Sequence, residues 1–459
     1  MSTADTLRPP MSAAGHVRAT LALGLPLIGS HLAQVALHVT DTIMVGWYGV
    51  VELAAVVLGS TSFFIVFVVG AGFANAVMPL VAAAAAQGDA QRVRRATRMG
   101  MWLSIAYGLA LYPVFFFAEP IFRALGQAED VSHLAGDYLA IAGTGMLPAL
   151  LIMALKSHLA GLSRTQVVLW VTVAGVFLNA GLNWMLIFGR WGAPEMGVEG
   201  AAVASVVTQA ATLLALAIYA GVGPVLRDYR LWQRFWRPDP EVMARVFRLG
   251  WPIGLTSLAE GGLFQATAIM MGWIGTVQLA AHGIALEVTS VTFMVHLGLS
   301  NAATVRAGHA FGARDIGALK DGARVAIVLS LVFALMTVAI FLAVPRPIIA
   351  LFTDLSKPEA EHILAFGALL LAYAALFQVA DGVQVMGLGL LRGVQDTRVP
   401  MAIAIFGYWA IGMPAAYGLA FPAGLGGPGL WLGLCVGLTV TGSLLMWRFW
   451  ARAGRIRAA

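Results

Sequence analysis

Twelve times along the chain an apolar run of about 20 residues or more recurs, and a helix of that length crosses the ~30 Å hydrocarbon core of a bilayer. The runs fall near 19–45, 52–84, 94–118, 134–158, 167–189, 198–222, 246–273, 277–305, 321–344, 363–391, 399–420 and 428–449. Within hydrocarbon every backbone N–H and C=O must be satisfied inside the segment, so runs of this length are read as spanning helices. Composition agrees, with 60% of the 459 residues hydrophobic and 11% charged, where a soluble domain has roughly 25% charged. A soluble globular enzyme is excluded, and the expected fold is an all-α polytopic membrane protein of twelve transmembrane helices.

Assigning alternate connections to opposite sides tests that count. One side collects Arg8, Arg18, Arg92, Arg94, Arg95, Arg98, Lys156 and Arg164, then the basic residues at 227–248, 306–324, 392–398 and 448–457. The other receives only Arg123, Arg190, Arg346 and Lys357. That leaves 28 − 4 = 24 of the Lys and Arg residues on the first side, which the positive-inside rule makes cytoplasmic, together with both termini. The net charge of +6 belongs to this bias and implies no nucleic-acid partner. Residues 1–18 read as a short polar tail, since the first apolar run exceeds a signal peptide's core and lacks a small-residue cleavage site. Cys435, the single cysteine, cannot form an intrachain disulfide.

Compared with itself at an offset of 226 residues, the chain matches without a gap. LGLP at 23–26 meets LGWP at 249–252, and Gly46, Trp47 and Gly49 meet Gly272, Trp273 and Gly275. Gly72, Asn75 and Asp89 meet Gly298, Asn301 and Asp315. Two pseudo-symmetric six-helix lobes follow, 19–222 and 246–450, with a basic cytoplasmic linker at 223–245 and tails at 1–18 and 451–459. Six spans is an even number, so the lobes share one orientation and are expected to enclose a site near the midplane that rocking exposes alternately. The paired Gly, Pro and Trp residues are most simply packing features, so the polar residues that the repeat does not share must argue for function.

Four carboxylates fall well inside spans: Asp41, Glu260, Glu287 and Asp381. Each would cost about 2.5–3.5 kcal/mol at the centre of a lipid-facing helix, so they are expected to face a cavity, to be protonated, or both. At the ~1.5 Å rise per residue Glu260 and Asp381 lie near the midplane and Asp41 in the outer half of the first lobe. Asn179 and Asn183, spaced i, i+4 on span five at about the same depth, are candidate partners of Asp41. At the 226 offset Asp41 meets Thr267 and Glu260 meets Gln34, so the shared fold requires neither acid. Such a carboxylate can take up a proton or, with oxygen neighbours, a hard cation such as Na⁺, with Glu260 and Asp381 the expected Na⁺ ligands. Either event changes the local charge, as coupling to an ion gradient requires. His31, His38, His282 and His296 match no metal-site spacing. Phe63, Phe67, Phe293 and Met294 are candidates to line a pathway for flat cations through cation–π contact, beside the plainer reading of packing. Neither a Walker A sequence nor G-x-S-x-G occurs, and no enzyme activity or cofactor is expected.

PLIGSHLAQVALHVTDTIMVGWYGVVELAAV (26–56), FLNAGLNWMLIFGRWGAPEMGVEGAAVAS (177–205), WPIGLTSLAEGG from Trp251, GLSNAATVRAGHAFGARD (298–315) and FQVADGVQVMGLGLLRGVQDTRVP (377–400) together resemble the multidrug and toxic compound extrusion (MATE) family, in its bacterial NorM-type branch. The resemblance covers nearly the whole chain. It implies an antiporter that expels cationic, often aromatic compounds in exchange for Na⁺ or H⁺ across a bacterial cytoplasmic (inner) membrane, as a monomer. The family's first-helix acid falls on Asp41, its span-five asparagines on Asn179 and Asn183, and its second-lobe acids on Glu260 and Asp381. Two positions depart from that pattern: Phe377 stands where NorM-type chains can carry tyrosine, and Glu287 adds an acid. A lipid-linked precursor flippase would favour a cationic cavity, for which these spans offer no deep Arg or Lys. A non-transporting receptor or scaffold would tolerate loss of Asp41 and Asp381.

Overall fold

The apolar runs form twelve long helices: α1 (Ala13–Tyr48), α2 (Val50–Ala86), α3 (Ala90–Phe116), α4 (Glu129–Gly161), α5 (Thr165–Ile187), α6 (Gly197–Val222), α7 (Pro240–Ile274), α8 (Thr276–Ala313), α9 (Ile316–Ala343), α10 (Ala360–Gly393), α11 (Arg398–Ala420) and α12 (Gly426–Arg455). Among the described residues, eleven are long and apolar enough to cross a membrane. The remaining one, α7, has 35 residues, a length of roughly 52 Å, and its apolar character is diluted by Arg245, Arg248, Glu260 and Gln265. This computed structural model describes residues 11–224, 226–356 and 358–455. Arg8, Lys357 and Arg457 of the charge tally lie outside the described residues, as do the first ten residues of the expected N-terminal tail and the last four of the C-terminal one.

Several repeat pairs now have a physical reason. Asp89 accepts a hydrogen bond from the Arg92 N–H at 2.9 Å and caps α3, while Asp315 accepts from the Ala318 N–H at 2.8 Å and caps α9. Each satisfies one of the donors left open at a helix start. Pro26 and Pro252 both sit inside their helices, α1 and α7, where the ring removes one ladder bond.

The chain divides into two compact units. The first is Gly29–Leu258, and the second joins the chain up to Ile28 to everything from Ala259 on. The N-terminal segments of α1 and α7 therefore each belong to the unit opposite the one that chain order suggests. Glycine permits this. A Cβ added at Gly72 would lie 2.4 Å from the Gly254 nitrogen within the first unit, and one at Gly298 would lie 2.8 Å from the Ile28 nitrogen within the second. Gly72 and Gly298 are 226 residues apart, and so are Ile28 and Gly254, so the same close backbone approach occurs in both units.

The basic segment before α7 is tied down along its length. Arg98 of α3 donates to the carbonyls of Gln233 and Arg234 at 2.6 and 2.7 Å, and the Trp102 indole donates to that of Phe235 at 2.8 Å. Asp239 accepts from the Arg95 guanidinium and from the Val242 N–H. The hydrogen bond and charge of Arg95 hold the Asp239 carboxyl below the usual carboxylate range. A carboxyl depressed in the folded state contributes stability that is present above about pH 4 and is lost as pH falls through its folded value. Asp239→Asn is expected to remove about 1 kcal/mol near neutral pH. Thermal unfolding in detergent should show its deficit against wild type shrinking as the buffer is taken below pH 4.

Candidate functional site

Within the first unit, α1, α2, α4, α5 and α6 surround a cavity of about 310 Å³. Asp41 opens into it from α1, half-buried. Opposite, the i, i+4 spacing places Asn179 and Asn183 on one face of α5, and both are fully buried. The Asn183 amide donates to Asp41 Oδ1 at 2.5 Å and to Asn179 Oδ1 at 3.1 Å, and Ser205 of α6 also bonds the carboxylate. Asn179 also acts on this carboxylate, and among the described residues Asn183 Oδ1 is buried without a partner. The neighbours of Asp41 are thus amides and a hydroxyl, which can rearrange around a proton or an alkali cation and provide no fixed countercharge.

Phe63 and Phe67 of α2 form the aromatic wall of the same cavity. Phe63 stacks on Phe67 with centroids 6.2 Å apart and on Phe115 at 5.6 Å. Tyr138 and Ser60, joined at 3.2 Å, line it as well.

The second unit gathers a different cluster. Glu260 on α7 accepts from Gln384 Nε2 at 3.2 Å, and the same amide meets the Tyr408 hydroxyl. Tyr408 projects from a π-helical stretch, Phe406–Gly412, a distortion frequent at functional positions. Asp381 lies one turn before Gln384 on α10, 2% exposed, with Oδ1 unpartnered, and it is near enough to Glu260 for their charges to oppose each other. Gln384 Oε1 and Gln378 Oε1 are also buried without donors. Buried acceptors without donors attract a hard cation or a proton, and the carboxylate pair supplies the charge, offset in part by the Arg392 guanidinium acting on Glu260.

The other sequence candidates lie elsewhere. Phe377, 2% exposed, packs between Phe264 and Trp431 at 5.9 and 5.6 Å, as a core side chain. Tyr408, not position 377, supplies the hydroxyl at this cluster. Glu287 is exposed on α8 and has no bond to the cluster, while Phe293 and Met294 are half-buried on the same helix and belong to the second unit. His282 receives the Trp431 indole N–H at 3.2 Å and His296 bonds Ser330 at 2.8 Å. Thr267, the repeat counterpart of Asp41, bonds only its own helix at Leu263 O.

Sequence reasoning missed Gln384, Tyr408, Ser205 and Lys156. Gln34 had a signal, as the repeat counterpart of Glu260, and it lines the cavity. Lys156, assigned above to a cytoplasmic connection, is inside α4 five residues before its end, 8% exposed and facing the cavity. It is about 7 Å from the end of its helix, buried against the cavity and not part of a solvated connection.

The profile of the MatE family matches residues 26–185 and 252–418. The chain belongs to the MatE family. Its two matched segments begin 252 − 26 = 226 residues apart, the offset of the internal repeat. This MatE chain is 45% identical over 447 residues to the "Probable multidrug resistance protein NorM" of Rhizobium meliloti (strain 1021), covering 97% of this chain and 95% of that one. It is 46% identical to the protein of the same name from Agrobacterium fabrum (strain C58 / ATCC 33970), covering 95% and 93%. A crystal structure described as MATE in complex with MaL6 superposes with a TM-score of 0.88 at 22% identity, covering 96% of this chain and 97% of that one, and supports the fold.

Proposed function

We propose that this MatE protein is a secondary multidrug efflux antiporter, which expels cationic aromatic compounds from the cell in exchange for H⁺ or Na⁺ by alternating access. It works in the cytoplasmic membrane with both termini inside, as the charge bias of the connections supports. The observation that carries the reading is Asp41, a carboxylate without a countercharge, held by Asn183 at the wall of a cavity whose other face is the stacked Phe63 and Phe67. A flat cation is attracted by the carboxylate and by the ring faces together. A proton or Na⁺ at Asp41 cancels the first attraction and releases it. The Glu260–Asp381 pair is a second ion-responsive centre, where charge uptake relieves the repulsion of two neighbouring acids. The names of the curated relatives support the drug class.

Ethidium transport by purified protein in liposomes tests this, with a Na⁺ gradient and a pH gradient imposed separately. Accumulation driven by at least one gradient is expected; if neither moves ethidium beyond protein-free vesicles, the antiport reading fails.

A further inference from the structure

The last turns of α12 carry more positive charge than their ion pairs use. Arg448, Arg452 and Arg455, spaced i, i+4, i+7, share one face of the helix. They line a cavity of about 340 Å³, which Trp447, Ala451 and Phe311 near the end of α8 complete. All six residues belong to the second unit. Asp396, buried in the turn after α10, is the carboxylate paired with this group. Arg448 Nε donates to its Oδ2 at 2.8 Å, and Arg452 Nη1 stands 3.5 Å from the same atom. Three guanidinium groups thus meet one carboxylate, and the cavity is cationic. Among the described residues Arg452 Nε is buried without an acceptor. Acceptor oxygens are what the site lacks, and the fork of guanidinium N–H groups matches the oxygens of a phosphate.

A free phosphate and a phospholipid headgroup share that chemistry, and the surroundings favour the lipid. Trp447 is 71% exposed beside Arg448, and an exposed tryptophan at the end of a span suits the headgroup level. From it Leu444, Val440 and Val436 continue one face of α12 toward the middle of the span, each at least partly exposed. A headgroup held by the arginines therefore leaves an acyl chain lying along an apolar strip, whereas a free anion meets the arginines alone. Basic pockets between helices on the cytoplasmic side are suited to anionic headgroups.

We propose that the cavity between the ends of α8 and α12 binds an anionic phospholipid: its phosphate meets Arg452 and Arg455, Trp447 sits at its headgroup, and an acyl chain follows Leu444 and Val440. Arg448, tied to Asp396, positions the other two. With the termini inside, as proposed above, the lipid belongs to the cytoplasmic leaflet. Only the choice of leaflet rests on that reading, and the site rests on none of the transport chemistry.

Native mass spectrometry of the full chain in neutral detergent, with equal amounts of phosphatidylglycerol and phosphatidylcholine, is the test. Wild type is expected to retain one phosphatidylglycerol about tenfold more often than phosphatidylcholine. Arg452→Gln with Arg455→Gln should abolish that preference. Arg455→Gln alone, at the exposed end of the helix, should reduce it about fivefold and keeps the test open if the double variant does not fold. Arg245→Gln, which removes an exposed charge from the start of α7, should leave it unchanged. Equal retention of the two lipids by wild type overturns the site. An equal loss in Arg245→Gln overturns it as well, because total charge would then be the cause. Displacement of the lipid by an equal concentration of glycerol 3-phosphate overturns the lipid assignment in favour of a free-phosphate site. Detergent exposes both faces of the protein and no transport is measured, so failure of the efflux reading or of the orientation leaves these outcomes unchanged.

Discussion

Asp41→Asn is expected to abolish gradient-driven efflux while leaving the protein folded. Asparagine has nearly the same shape and can still bond Asn183, so the packing of α1 against α5 survives. It carries no charge, so it can neither attract a cation nor exchange it for a proton or Na⁺. At a membrane potential of 100 mV, one coupled charge is worth about 2.3 kcal/mol, roughly a 50-fold concentration ratio. Ethidium accumulation in proteoliposomes should fall by that order, with an unchanged elution profile and melting temperature in detergent. Thr267→Ala, at the equivalent position of the other repeat, should transport normally, because that hydroxyl bonds only its own helix.

The second large effect is structural. Gly72→Leu and Gly298→Leu are each expected to prevent assembly of a stable protein, since even a Cβ would press on the Gly254 backbone in one case and on that of Ile28 in the other. Overpacking costs about 1–3 kcal/mol where side chains can yield, and two helix backbones yield less readily than side chains. Alanine at either position should already lower the melting temperature clearly. Gly283→Ala on α8 is the control, because nothing lies within 4 Å of its added Cβ; relief of helix-interior glycine should stabilise it by about 0.5–1 kcal/mol. A melting temperature for Gly298→Ala equal to that of Gly283→Ala would remove the close crossing from the account.

The architecture was legible because hydrocarbon imposes a length and a satisfied backbone on every span, and those requirements are written directly in the apolar runs. The 226-residue offset likewise identified Gly72 with Gly298 and Asp89 with Asp315 before their close approaches and caps were known. The offset could not show that Ile28 and Gly254 pack across from their own halves, because self-comparison pairs equivalent positions and says nothing about which helix each one touches. The cluster around Glu260 was half visible. Its acids stood out against an apolar background, whereas Gln384 and Tyr408 are ordinary polar residues whose meeting depends on how α10, α11 and the π-helical stretch are wound. Phe377 was read through its likeness to a tyrosine position, and the core contacts with Phe264 and Trp431 explain why an apolar ring suits it. Lys156 was misread because a lysine near a span end looks like part of the charged connection until its burial is known.

The central claim is that a solute cation and a coupling ion compete for the carboxylate at Asp41. The most direct measurement is ethidium affinity for purified protein as a function of pH and of Na⁺ concentration, in wild type and in Asp41→Asn. Wild type should lose affinity as protons or Na⁺ are added, and Asp41→Asn should bind weakly with no such dependence. An affinity in wild type that stays constant across both titrations would contradict the account.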